Sequence, residues 1–382
     1  MPRIQWKLIN WPNSLFLVGT LLITLTAVPA YLWRHGLDWF QVALFLVYFA
    51  ATGLSITLGY HRLFSHLSFK ASWPVRFLTL VFGAAAFENS ALMWVADHRK
   101  HHKHVDHDED PYNISKGFFH AHVGWILYNG TPATALEGVK DLERDALVSW
   151  QHRYYVLIAI LAGFGLPALL GAWWGGATGA LGGFLIAGVA RTVFVNHMTF
   201  CINSWSHTWG RRPYSTQCSA RDSALLAWFT FGEGYHNFHH AFEHDYRNGV
   251  KWWLFDPTKW SIWLLAKVGL VRGLRRVPEE TILLAEIAER QRQLALRLEA
   301  APGRLSESIQ GMLHAAQERL QQASADWELR KTAYWQAAET KLEASRQKVA
   351  ELQQEFREAT AQLRQAMQEW WEAHHLAQAQ LA

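Results

Sequence analysis

Asp97-His98-Arg99-Lys100-His101-His102 is the stretch that decides how this sequence is read. Two further histidine clusters accompany it, His61-Arg62-Leu63-Phe64-Ser65-His66 and His236-Asn237-Phe238-His239-His240. Imidazole is the commonest metal ligand in proteins, and clusters far apart in sequence can converge on one site. On a helix, at about 100° per residue, His98 and His102 share a face while His101 lies about 60° off it. His236, His239 and His240 repeat that spacing. His61 and His66 are five apart and diverge by about 140° on an α-helix, so they are predicted to serve two different metals. The spacing therefore favours a dinuclear site.

Each cluster lies just outside an apolar run. Residues 14–33 and 39–60 are each about 20 residues long, enough to cross a ~30 Å hydrocarbon core. A short link joins them into a hairpin, and the second ends directly on His61. Arg3 and Lys7 before the first run, with Ala27-Val28-Pro29-Ala30 in it, are compatible with a cleaved signal peptide. The run continues past Pro29 and a second follows at once, so a span is the better reading. Residues 154–174 and 178–200 form a second hairpin with an uncharged link. Between the hairpins, residues 73–94 are apolar but interrupted by Pro74, Arg76, Glu88 and Asn89, which suits a helix in or near the interface. Arg191, inside the fourth span, is predicted to face protein or water. Lys and Arg are concentrated in the segments after residues 60 and 200. These segments, and both termini with them, are therefore placed on the cytoplasmic side. All three clusters then face one way.

Composition agrees. Half of the 382 residues are hydrophobic, yet mean hydropathy is −0.06, which suggests a membrane part plus a polar part. Trp11, Trp33, Trp39, Trp73, Trp173 and Trp174 flank apolar runs, as interfacial tryptophans do. Cys201 and Cys218 are the only cysteines, which excludes a disulfide framework and a cysteine-based cluster or zinc site. A reduced cytoplasmic setting is the simplest reading for the polar face. The predicted fold is an all-α integral membrane protein, with four transmembrane helices in two hairpins and a cytoplasmic helical cap carrying a di-metal site.

The order HRLFSH, HRKHH, HNFHH resembles the membrane-bound fatty acyl desaturases of the Δ9 stearoyl-CoA type. Gly117-Phe118-Phe119 followed by His122-Val123-Gly124-Trp125 is similar to that family's segment after its second box. Asn203-Ser204-Trp205-Ser206-His207, then Arg212-Pro213-Tyr214, and Gly232-Glu233-Gly234 are similar to its other segments. The resemblance covers residues 15–278. It implies O2-dependent Δ9 desaturation of a long-chain saturated acyl thioester, such as acyl-CoA, at two iron ions, giving a cis double bond in a bacterial inner membrane. By resemblance the metal ligands are His61, His66, His98, His101, His102, His207, His236, His239 and His240, and Asn203 holds a water on the neighbouring metal. The resemblance also places Glu88, Asn89 and Trp94 against the substrate, Phe45 and Phe49 at the far end of an acyl tunnel, and Thr199 and Phe200 at its bend. Metal-bound histidines usually donate their other N–H to a carboxylate; Asp97, Asp106, Asp110 and Glu233 are candidates. His104 and His107 are read as solvated or behind the ligands, and His197 as a packing residue. His120, His122 and His152 have no counterpart as ligands. Ala96 departs from the animal members, which carry an arginine on the coenzyme A side. Either Lys100, Lys103 or Lys116 replaces it, or the acyl carrier differs.

Removing hydrogen from an unactivated methylene needs an oxidant that side chains cannot supply. Zinc at such a site would be redox-inert, so the ligands alone do not distinguish iron. No flavin or nicotinamide fingerprint and no haem motif is found, so a separate electron donor (ferredoxin, rubredoxin or cytochrome b5-like) with its reductase is implied. The rivals are hydroxylation or alkene-forming decarboxylation on the same scaffold, and a membrane metal transporter or sensor. The last would place its ligands inside the spans.

Arg247, Lys251, Lys259, Arg272, Arg275 and Arg276 interleave with Trp252, Trp253, Trp260 and Trp263. Beside membrane spans this pattern marks anionic headgroups or substrate phosphates rather than nucleic acid. The membrane domain is read as residues 1–278. Residues 279–382 form an extension rich in Ala, Gln, Glu, Leu and Arg, where Pro302-Gly303 divides a short helix from a long one. The long helix carries a heptad-like stripe, Ile309, Leu313, Ala316, Leu320, Ala323, Trp327, resuming at Val349, Leu352, Phe356, Ala359, Leu363. That stripe is predicted to pack on another helix, on the membrane or on a second copy by self-association. The extension has slightly more acid than base, which argues against a nucleic-acid tail.

Overall fold

The structure is a computed structural model and describes residues 8–128, 136–300, 305–339 and 346–381. Its contacts divide the chain into two compact units, Met1–Arg276 and Val277–Ala382.

In the first unit, α1 (Trp11–His35) and α2 (Trp39–Leu54) flank a short turn. Asp38 starts α2 by accepting a hydrogen bond from the Gln41 amide at 2.8 Å, which satisfies one of the donors a helix start leaves free. Leu15, Leu25 and Trp33 on α1 are exposed, an outward apolar surface that suits lipid. Among the described residues, three helical stretches are long and apolar enough to cross a membrane: Trp11–His35, Trp39–Ser65 and Tyr155–His207. The third breaks at Gly175 and at Gly176, where φ is 59°. Only glycine adopts that left-handed geometry readily. The chain then runs back, with Gly171 and Gly179 backbone to backbone, so a Cβ on either would strike the other's carbonyl. The stretch is thus a helical hairpin, and its turn falls in the uncharged link read from the sequence.

The 73–94 region is two elements. α3 (Trp73–Ala84) is too short to cross a bilayer. α4 (Ala91–His104) begins at Ser90, whose hydroxyl accepts from the Met93 amide. Between them, Phe87 and Asn89 take positive φ. A two-stranded ladder, β1 (Lys70–Ala71) with β2 (Val271–Arg272), ties the segment just after the first histidine cluster to the end of the unit. Within the second hairpin α5 (Arg191–Ser204) runs to the polar face. Arg191 is fully buried and donates to the carbonyls of Ala187, Ala85 and Gly163 at 3.0, 2.7 and 3.1 Å. It therefore faces protein, as a cation in a span must. α6 (His236–Ala241) and α7 (Pro257–Lys267) complete the cap.

The second unit holds α8 (Glu279–Ala300), α9 (Glu307–Glu339) and α10 (Arg346–Leu381). The single long helix predicted after Pro302-Gly303 is therefore two helices. They run antiparallel: Ser306 bonds Gln380, Arg319 pairs with Glu369, and Arg330 with Glu355. The stripe through Leu320 and Trp327 packs on the stripe through Ala359 and Leu363, so its partner is a helix of the same chain. No Gly or Pro marks the reversal. An Ala-rich seam hides little surface alone, and folding back buries Trp327, Leu363 and Trp370 almost completely.

Candidate metal centre

Nine imidazoles meet in two groups, within each of which the ligand atoms lie within 4.8 Å of one another. His61, His66, His98, His102 and His239 form one. His101, His207, His236 and His240 form the other. Helical phase does the sorting. On α4 the i, i+4 pair His98 and His102 enters the first group, and His101 turns to the second. On α6 the pair His236 and His240 enters the second, and His239 turns to the first. His207 arrives from the 3-10 turn Trp205–His207 that ends α5.

The first cluster corrects the sequence reading. His61 and His66 were expected to serve different metals, but they share a group. Residues Ser55–Ser65 wind as a π-helix, and the His66 amide donates to the His61 carbonyl at 3.1 Å. Bonding from i to i+5 places residues five apart above one another. The division between two sites comes from the second and third clusters instead.

Carboxylates stand behind the rings. Glu233 lies 2.8 Å from His61 Nδ1, and Asp110 accepts from His101 Nδ1 at 2.9 Å. Asp106 does not touch a ligand directly. It accepts from the Ser219 hydroxyl at 2.5 Å, and that hydroxyl faces His207 Nδ1 at 2.7 Å. Asp97 lies near Tyr112, whose ring packs on His101 at 4.7 Å. Ser219 carried no signal in the sequence, because a lone serine twelve residues from its histidine has no pattern. Glu243, three residues past the third cluster, was also missed. Its carboxylate meets His102 Nδ1 at 3.3 Å. Glu233 is itself held by Arg62 at 2.9 Å and by Asn248 at 2.7 Å, and Arg62 also reaches Asp256 at 3.1 Å. This buried set fixes His61 from behind.

These bonds determine what the site can hold. His101, His102 and His207 commit Nδ1 to oxygen acceptors, which leaves each Nε2 a bare lone pair. Yet Nε2 atoms face one another at 3.0 Å (His61–His239), 2.9 Å (His239–His102), 3.3 Å (His101–His240) and 3.1 Å (His236–His207). Burial, reinforced by neighbouring histidines, holds His98, His236, His239 and His240 well below the usual imidazole range, and His102 at about 4. Converging neutral nitrogen lone pairs fit a divalent transition metal in each group. They do not suit magnesium or calcium, which take oxygen ligands.

The residues expected at the substrate divide. Thr199 and Phe49 line a narrow apolar cavity of about 20 Å³, with Val195, Ile202 and Phe231. Glu88 connects that cavity to the histidines. Its carboxyl accepts from Thr199 at 2.8 Å and from Trp94 Nε1 at 3.3 Å, and Trp94 stacks on His98 at 4.8 Å. Loss of hydration pushes this carboxyl up to about 8. Phe45 stands behind Phe49, ring centroids 6.4 Å apart. Phe200 is turned away from the cavity towards His122 and His197. Asn89 is an exposed turn residue whose amide bonds Tyr155. Asn203 is half-buried on α5, four residues before His207.

Comparison with known proteins gives a consistent result. The family model "Fatty acid desaturase" matches residues 37–271. A probable acyl-CoA desaturase of Schizosaccharomyces pombe is 40% identical over 291 residues, 76% of this chain and 59% of that protein. Acyl-CoA desaturase 1 of Saccharomyces cerevisiae is 38% identical over 296 residues, 76% and 57% respectively. An sn-1 stearoyl-lipid 9-desaturase of Anabaena variabilis is 34% identical over 271 residues, 70% of this chain and 94% of that protein. The chain thus spans under two thirds of the two yeast relatives and nearly all of the cyanobacterial one. With the family model matching well over half its length, the chain belongs to the fatty acid desaturase family.

Proposed function

We propose that the protein is an acyl desaturase that introduces a cis double bond at C9 of a long-chain saturated fatty acyl thioester. The carrying observation is the pair of buried imidazole groups joined through Trp94 and Glu88 to an apolar cavity. In the balanced reaction the chain gives up two hydrogens. A separate one-electron donor gives two electrons, solvent gives two protons, and O2 leaves as two waters. The nine histidines would hold two iron ions, which when bound supply the oxidising power that side chains lack.

The chain's own residues do the rest. Asp110, Ser219 and Glu243 hold ligand rings in one tautomer. The cavity's apolar lining suits an acyl chain, and at about 20 Å³ the side chains around Phe49, Thr199 and Phe231 must part to admit one. Trp94, pinned by Glu88, fixes how near the chain comes to His98. The yeast relatives are named for acyl-CoA and the cyanobacterial one for a lipid substrate; acyl-CoA is the carrier we favour. The four apolar arms cross the membrane, a bacterial inner membrane in our reading, with the histidines and both termini cytoplasmic.

The test is expression, with a competent electron donor, in a desaturase-deficient host, followed by mass spectrometry of fatty acids with double bonds located by derivatisation. New cis-Δ9 acids of 16 or 18 carbons, absent with His101→Ala, are expected. Hydroxy acids or terminal alkenes instead would overturn the assigned reaction.

A further inference from the structure

The helix α7 shows its surroundings an unusual face. Thr258, Lys259 and Ile262 are buried, and the stripe left exposed is Trp260, Trp263, Leu264 and Lys267. These are i, i+3, i+4 and i+7 positions, so they form one face. A helix capping a water-facing surface would carry polar residues there. The buried face is joined to the first membrane hairpin, since Thr258 bonds Thr57 at 2.7 Å and Thr57 belongs to the crossing stretch Trp39–Ser65. The apolar stripe therefore sits where membrane and water meet.

Cations frame it. Lys267 lies over the Trp263 ring at 5.3 Å, and exposed Lys251 over Trp253 at 5.4 Å. Lys70 and Arg272 are exposed and directly opposite on the β1–β2 ladder. Like charges so placed repel, and among the described residues no acidic side chain pairs with either. Two cations that the sequence pattern included have other duties. Arg247 is buried against Asp245 at 2.7 Å, and Lys259 is buried and donates to backbone carbonyls of Gly249 and Lys251.

We propose that this face lies in the headgroup layer and that Lys70, Lys251, Lys267 and Arg272 bind the phosphates of anionic phospholipids, with the tryptophans seated below them. Tryptophan favours that depth, and each basic side chain gains from an anionic surface. The proposal is independent of the reaction catalysed.

The test is hydrogen–deuterium exchange of the full-length, metal-loaded protein in nanodiscs of phosphatidylcholine, with and without about 30% phosphatidylglycerol. Peptides covering 251–272 are expected to exchange roughly tenfold more slowly with the anionic lipid, and the difference should shrink in high salt. The K70Q/K251Q/K267Q/R272Q variant should lose the difference while keeping wild-type exchange in pure phosphatidylcholine. Unchanged metal content in that variant shows that the fold is intact. Trp263→Ser, which keeps every cation, should raise exchange in both lipids. Equal exchange in the two lipids for the wild type would overturn the proposal. So would protection of the same peptides by free coenzyme A in phosphatidylcholine alone, because the cations would then serve substrate phosphates.

Discussion

Both units have apolar cores, but they differ in the polar groups they bury beside them. The first hides Arg62, Glu233, Asp256 and seven of the nine clustered histidines, with His102 and His240 half-buried, while the second hides Trp327, Leu363, Trp370 and a row of alanines. An apolar seam stabilises a fold by itself. A polar interior does so only when every group is satisfied, and partial satisfaction is costly. The histidine groups in the first unit are therefore completed by what they bind, and the second unit has no such dependence. The strongest way to break this comparison is to strip the metal. Saturated sites stabilise by about 4 kcal/mol at a thousandfold excess over Kd. Chelation should accordingly lower the unfolding temperature of the first unit by roughly 10 °C or more and leave the second unchanged. Hydrogen exchange at residues 236–240 against residues 313–327, with and without chelator, separates the two. Equal loosening of both would refute the distinction.

Single substitutions sharpen it. Glu233→Ala removes the carboxylate shared by His61, Arg62 and Asn248. Stranding a buried charge costs about 3–5 kcal/mol, and losing the support of a ligand weakens metal binding by roughly 10–100-fold. Both should appear together, in thermal unfolding and in metal content. Trp327→Ala should cost a similar ~3–5 kcal/mol, yet leave metal content untouched. Ser219→Ala is the milder change, lowering affinity at the His207 site with little loss of stability.

Legibility in the sequence followed the same division. The phase of His98, His101 and His102 was readable because α4 is a regular α-helix, and so was that of the third cluster. His61 and His66 were misread because a π-helix has no sequence signature of its own. The turn at Gly175–Gly176 showed as an uncharged glycine pair between apolar runs. The reversal in the second unit was hidden, because between Trp327 and Val349 neither Gly nor Pro interrupts the helical pattern. Ser219 and Glu243 were missed for a different reason. Their roles depend on tertiary proximity to His207 and His102, which no spacing encodes. Phe45, Phe49, Thr199 and Phe200 were grouped by resemblance, and the fold separates Phe200 from the others because consecutive residues on α5 point about 100° apart.

The smallest effect tests a polar flaw in the second unit. His374 has no exposed surface, stacks on Trp370 at 4.7 Å, and leaves both ring nitrogens without a hydrogen-bond partner. Burial, then Arg290, His375 and Arg297, pushes it down to about 4. In the unfolded chain it titrates near its ordinary 6.5. Below that pH the unfolded chain gains a proton that the folded one refuses, so stability falls as pH drops from 6.5 towards 4 and levels off below. His374→Leu removes both the orphaned N–H and this acid penalty. The variant should be more stable than wild type by about 1 kcal/mol at neutral pH, with a margin that widens on acidification. Unfolding followed by hydrogen exchange in α10 at pH 7 and pH 5 reads this directly. A margin that stays constant between the two would show that the buried ring is protonated in the fold.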